Sequence, residues 1–169
     1  MLVERGTTRV SIGVQSFLDA EAHAAGRPQK RAEVDQALDA IRATGIPELN
    51  VDLIYGIAGQ TPRSWEYSLT TALRWAPEEI FLYPLYVRPL TGLGRRSPDG
   101  ADPEWDAHRL TLYRQGRDRL RAAGYRQLSL RHFRRRDAPD HDDATEYRCQ
   151  DDGMVGLGCG ARSYTTDLH

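Results

Sequence analysis

The sequence predicts an α/β fold in which parallel strands alternate with helices, in a sheet either open or closed into a barrel. Two observations lead there. First, residues 49–61 read LNVDLIYGIAGQT. Leu49, Val51, Leu53 and Tyr55 alternate with Asn50, Asp52 and Ile54, the period of a strand with two distinct faces. Gly56 and Gly59 break that pattern, and Thr61-Pro62 supplies an N-cap and a proline for the first helical position. Second, strand-like stretches stand on either side, at 9–15 and 79–87, each separated from the central one by a helical pattern.

In chain order, Arg9 to Gln15 is the first strand. Val10, Ile12 and Val14 share one face, and Ser11, Gly13 and Gln15 share the other. A loop or short helix follows through LDAEAHAAGR to Arg27. Arg31 to Thr44 places Val34, Ala37, Leu38 and Ile41 at helical spacing, and Gly45 stops it. After the central strand, Pro62 to Trp75 carries Trp65, Leu69, Ala72 and Leu73 on one side. Glu79 to Val87 reads as an apolar third strand, buried on both faces. Arg88 to Asp102 reads as a loop rich in Gly, Pro and Arg. Asp102-Pro103 opens a third helix that runs to Gly124, and Tyr125 to Phe133 is a further strand. The polar stretch 134–150, basic and then acidic, reads as a solvated loop.

The chain has 169 residues, enough for one domain with a real core. Its net charge of −1 points to neither nucleic acid nor an anionic membrane as partner. Lys30 is the only lysine among the basic residues. No apolar run reaches membrane-spanning length, and MLVERGTTRV lacks the layout of a signal peptide, so a cytoplasmic protein is expected.

Three patterns are set aside. Cys149 and Cys159 make neither a zinc motif nor a disulfide framework and read as free thiols. GLGCGA at 156–161 fits G-x-G-x-x-A, but the helix and acidic residue a dinucleotide site needs are not found on the way to His169. The five histidines pair with no serine or cysteine in a hydrolase arrangement.

Asp52 stands out, because a carboxylate in an apolar strand is costly to bury alone. Either a neighbouring arginine pairs with it, or it contacts a ligand inside a sheet or barrel. The small and polar face Ser11, Gly13, Gln15, Asn50 and Asp52 favours a lumen left open for a polar ligand, which α/β folds bind at the C-terminal ends of strands.

RVSIGVQSF, Arg27, NVDLIYGIAGQT, YPLYVRPLTGL and GLGCGA occur in one order. Together they closely resemble the radical S-adenosylmethionine (SAM) proteins related to oxygen-independent coproporphyrinogen III oxidase. The resemblance covers essentially the whole chain. It implies the later half of a partial (β/α) barrel over residues 1–90, with an α+β extension of the same domain over 91–169. It also implies that Gln15, Arg27 and Asp52 line the SAM site. Gln15 and Asp52 can hydrogen-bond ribose hydroxyls, and Arg27 can grip a carboxylate.

The implied activity is that of a radical SAM oxidoreductase. A [4Fe–4S] cluster and SAM generate a 5′-deoxyadenosyl radical, an electron donor supplies reducing power, and the substrate is a small molecule, with a tetrapyrrole as the best-known example. Two departures qualify this. The C-x-x-x-C-x-x-C of the family is absent, so the cluster ligands are expected upstream and the chain as given is expected to be inactive. Tyr147 to Gln150 stands where haem-chaperone relatives carry H-N-x-x-Y-W, which weakens a haem-trafficking role. Ala58 also replaces the usual proline. The alternatives are a haem- or tetrapyrrole-binding chaperone of the same fold and an inactive fragment.

Overall fold

The computed structural model describes residues 3–86, 103–139 and 155–157. Two compact units are present, Met1–Ala138 and Pro139–His169. In the second, the described residues 155–157 have no regular secondary structure.

The first unit is an α/β fold around a mixed five-stranded sheet. After a 3₁₀ turn at Val3–Arg5, its elements are β1 (Arg9–Gln15), α1 (Asp19–Ala24), α2 (Arg31–Ala43), β2 (Glu48–Tyr55), α3 (Pro62–Arg74), β3 (Glu79–Pro84), α4 (Pro103–Ala122), β4 (Tyr125–Gln127) and β5 (His132–Arg135). The sheet order is β1-β2-β3-β5-β4. β1 and β2, and β2 and β3, pair in parallel, each pair joined by a crossover that carries helices. β5 pairs antiparallel with both β3 and β4.

Alternation in the strands decides the layering. Val14, Leu49, Val51, Leu53, Ile80 and Leu82 are fully buried and meet Leu38 of α2, Trp65 and Leu69 of α3, and Leu112 and Leu120 of α4. Burying these side chains is the main drive for assembly, about 1.5–3 kcal/mol each. The Trp65 indole donates to Leu112 O at 2.8 Å, so its one polar atom is satisfied in the core. Thr61 caps α3 as its sequence implies, its side chain accepting from Ser64 N at 3.1 Å with Pro62 in the first turn.

Two expectations are corrected. Residues 125–133 do not form one strand. They make a hairpin, β4 and β5, in which β5 turns back to pair with β3 and β4 takes the outside edge. β3 is also not buried on both faces. Ile80 and Leu82 face the core, while Phe81 and Tyr83 are only half-buried on the other side and the strand opens on a buried carboxylate, Glu79. The stretch 88–102, Cys149, Cys159, Tyr147 to Gln150 and the GLGCGA glycines 158 and 160 lie outside the described residues. Among the described residues no helix is long and apolar enough to cross a membrane.

Candidate functional site

The sheet face away from the helices is polar, and the register arranges it in rows. Ser11, Asn50, Glu79 and Arg134 form one row; Gly13, Asp52, Phe81 and His132 form the next; Ile54 and Tyr83 follow. The lower row is held by charge. The Glu79 carboxylate lies 2.8 Å from Arg9 Nε, 2.9 Å from His132 Nε2 and 3.2 Å from Arg134 Nη1. Arg134 also reaches the buried Glu48 at 2.6 Å. Burial alone would raise the Glu79 carboxyl, but the hydrogen bonds from His132 and Arg9 outweigh it and hold it at about 2.

Asp52 sits one row higher and is treated differently. Its Oδ1 accepts from Asn50 Nδ2 at 2.7 Å, and among the described residues no ion pair reaches it. Among the described residues it thus has no arginine partner of the kind its strand position allowed. Burial pushes its carboxyl above the ordinary value, with the Asn50 amide and then Arg9 pulling the other way. Asn50 also donates to Ser11 Oγ at 2.6 Å, while its own Oδ1 is buried without a partner among the described residues.

Gln15 comes to this face by an irregular route. The β1–β2 register slips between Gly13 and Gln15, and Gln15 takes a φ of +65°. Its amide folds back over Gly13, where a Cβ would lie 2.6 Å from Gln15 Nε2. The glycine thus leaves room for the glutamine. Arg27 follows α1, exposed, with its backbone N–H donating to Ala22 O.

A cleft of about 920 Å³ opens over this face, and Gln15, Arg27 and Asp52 all line it, with Ile54, Tyr83 and Tyr86. It lies where β1 and β2 end, the edge at which α/β folds bind ligands. Behind it, Glu21 Oε2 accepts from Ser16 Oγ at 2.7 Å and Gln60 Nε2 at 3.1 Å, and Gln60 Oε1 accepts from Gly56 N at 2.8 Å. That network ties the turn after β1 to the turn after β2.

Sequence reasoning did not find the Glu79, His132, Arg134 and Glu48 cluster, whose members stand far apart in the chain. It also missed a second cleft of about 340 Å³ that shares Pro84 and Tyr86 with the first and is lined by Arg109 and Arg131. Among the described residues no group of three or more His, Cys, Asp or Glu side chains could hold a metal ion.

No family model matches the chain. Individual proteins do. The "Heme chaperone HemW" of Synechocystis sp. is 34% identical over 164 residues, 94% of this chain and 38% of that protein. The "Oxygen-independent coproporphyrinogen III oxidase" of Pseudomonas aeruginosa is 29% identical over 185 residues, all of this chain and 39% of that protein. The solved structure of coproporphyrinogen III oxidase (HemN) from Escherichia coli, described as a radical SAM enzyme, superposes with a TM-score of 0.75 at 25% identity, covering 98% of this chain and 41% of that one. The chain spans about two fifths of the length of the curated relatives it matches.

Proposed function

The chain belongs to the radical SAM family of HemW- and HemN-like proteins, and we propose that its larger cleft is the SAM site of a radical SAM oxidoreductase. One observation carries this reading: three polar groups of the right chemistry meet in the cleft with capacity to spare. Among the described residues the Gln15 amide and the Arg27 guanidinium have no side-chain partner, and Asp52 commits one oxygen to Asn50. A carboxylate and an amide suit the hydroxyls of a ribose, and a planar guanidinium suits the carboxylate of an amino acid. β1, β2 and β3 are read as neighbouring staves of a partial (β/α) barrel, which makes the polar face its lumen.

The family works with SAM and a [4Fe–4S] cluster. The described residues do not fit a cluster. In this reading, these residues bind and orient SAM, and the substrate is a small molecule of the tetrapyrrole class named in the relatives.

The test is calorimetric titration of SAM. Each charge-assisted hydrogen bond is worth roughly 1.5–3 kcal/mol, so Arg27→Ala and Asp52→Ala are each expected to weaken affinity about ten- to a hundredfold. Unchanged affinity in both variants would reject the site.

A second reading, a chaperone that holds haem without turnover, is favoured by the 34% identity to HemW across nearly the whole chain. Haem titration followed by absorbance separates the two. In a full-length protein loaded with a cluster, saturable 1:1 binding of haem without 5′-deoxyadenosine formation supports the chaperone.

A further inference from the structure

We propose that Glu21 is a positioning residue for the larger cleft. It holds the turn that carries Gln15 and the helix that leads to Arg27 against the end of β2, where Asp52 stands. The proposal rests on the assignment of that cleft to SAM. Glu21 lines neither cleft. It lies behind the larger one, 6% exposed, in the short helix α1 between Gln15 and Arg27.

The turn after β1 needs an anchor. Gln15 has a φ of +65°, a region that disfavours any side chain, and Ser16 N closes a tight turn on Val14 O at 2.8 Å. A residue in that conformation persists where its surroundings over-determine it. Here they start at Glu21 Oε2. The Ser16 hydroxyl gives its one proton to that oxygen, so in its 3.1 Å contact with Ser68 it must accept. Ser16 Oγ and Ser68 Oγ in turn accept from Leu18 N and Phe17 N. The carboxyl thus sets the direction of the hydrogen bonds that fix the chain just past Gln15.

The same oxygen reaches β2. It accepts from Gln60 Nε2, which also donates to Ile54 O at 3.3 Å, while Gln60 Oε1 takes Gly56 N. Gln60 therefore grips both sides of the glycine turn, and Glu21 grips Gln60. Toward Arg27 the link is backbone. Glu21 O accepts from Ala25 N and Ala22 O from Arg27 N, each at 2.9 Å, and the Gln29 amide returns the loop to Val14 O. Glu21 Oε1, by contrast, is buried with no partner among the described residues. A carboxyl satisfied at one oxygen only is a poor stabiliser, and its place is explained by what Oε2 joins.

Calorimetric titration of SAM into the full-length protein, with amide hydrogen exchange, tests this. Glu21→Ala removes the shared acceptor. It is expected to weaken SAM about tenfold, as when the competent arrangement is populated a tenth of the time. Glu21→Gln keeps an acceptor for Ser16 and Gln60 and is expected to stay within about threefold of the parent. Gln60→Ala cuts the same link from the β2 side and should act as Glu21→Ala does, with no further loss in the double variant. It carries the test should circular dichroism show Glu21→Ala unfolded. Tyr125→Phe deletes a buried hydrogen bond to Pro77 O away from both clefts, and should leave SAM affinity unchanged even where it lowers the melting temperature. Without ligand, Glu21→Ala should speed exchange at the amides of Phe17, Leu18 and Gly56 and leave those of Leu112 and Leu120 as protected as in the parent. A parent that binds no SAM rejects the SAM site itself, and the exchange pattern then still decides whether Glu21 joins the two turns. Unchanged exchange at those three amides, parental affinity in Glu21→Ala, Glu21→Gln as weak as Glu21→Ala, or an equal loss in Tyr125→Phe would overturn the proposal.

Discussion

Asp52 and Glu79 stand on the same face of adjacent strands, and their carboxyls are driven in opposite directions. Asp52 is raised by burial, against which the Asn50 amide and the more distant Arg9 are not enough. The folded state therefore holds its proton more tightly than the unfolded chain, and the charge costs stability at neutral pH, relieved as pH falls toward the ordinary carboxyl value of 3.8. Asp52→Asn, which keeps the acceptor for Asn50, is expected to raise the melting temperature at pH 7 while weakening SAM; thermal denaturation by circular dichroism checks it, and a lower melting temperature would refute it. Glu79 is the reverse. Its folded value of about 2 lies below the ordinary 4.5, so its contribution is full above 4.5 and lost as pH falls toward 2. Glu79→Gln leaves Arg9 and Arg134 facing a neutral group and is expected to cost about 3 kcal/mol in urea unfolding at pH 7. The gap from the parent should narrow at pH 3; a constant gap would show that the carboxylate's charge is not the cause.

The crossing of α4 over α3 and the sheet depends on one missing side chain. A Cβ on Gly116 would meet Leu82 Cδ1 at 3.0 Å and Trp65 Cζ2 at 3.1 Å. Alanine favours a helix over glycine by about 1 kcal/mol, but forcing a methyl into a packed core costs about 1–3 kcal/mol. Trp65 is tethered through its indole and Leu82 is fully buried, so neither can move aside. Gly116→Ala is expected to be net destabilising by about 1 kcal/mol in chemical denaturation; a stabilised variant would mean that the crossing is looser. Much of this layout was legible in the sequence. β1 to β3 and their helices followed from alternation, from apolar spacing, and from the Thr61-Pro62 cap, because these signals are local. β5 was not legible, since its partner β3 lies on the far side of a whole helix and pairing across that distance leaves no local pattern. The site divided the same way. Asp52 followed from strand period alone. Alternation also put Gln15 on that face, but did not show the register slip and left-handed turn by which it gets there. Arg27 was found by resemblance. Arg109 and Arg131 became neighbours only when α4 and the hairpin packed against β2 and β3.

As a molecule, this chain carries a polar cleft and an adjoining aromatic, cationic one that shares Pro84 and Tyr86 with it, but only two cysteines, Cys149 and Cys159. Iron–sulfur clusters of the four-iron type are held by cysteine thiolates, commonly four. Anaerobic reconstitution of the 169-residue chain with iron and sulfide is therefore expected to give no stoichiometric [4Fe–4S] absorbance and no 5′-deoxyadenosine from SAM, and a stoichiometric cluster with SAM cleavage would refute this. The sheet order has a consequence of another kind, for the chain as it is made. β5 belongs between β3 and β4, yet it leaves the ribosome about fifty residues after β3 ends. At roughly 5–20 residues per second, β1, β2 and β3 can pair several seconds before β5 is available. Throughout that interval the main-chain edge of β3, with Ile80 and Leu82 beside it, is open to whatever strand arrives first. A nascent chain of this protein is thus most exposed to mispairing at one defined moment, which ends when the 125–135 hairpin emerges and closes that edge.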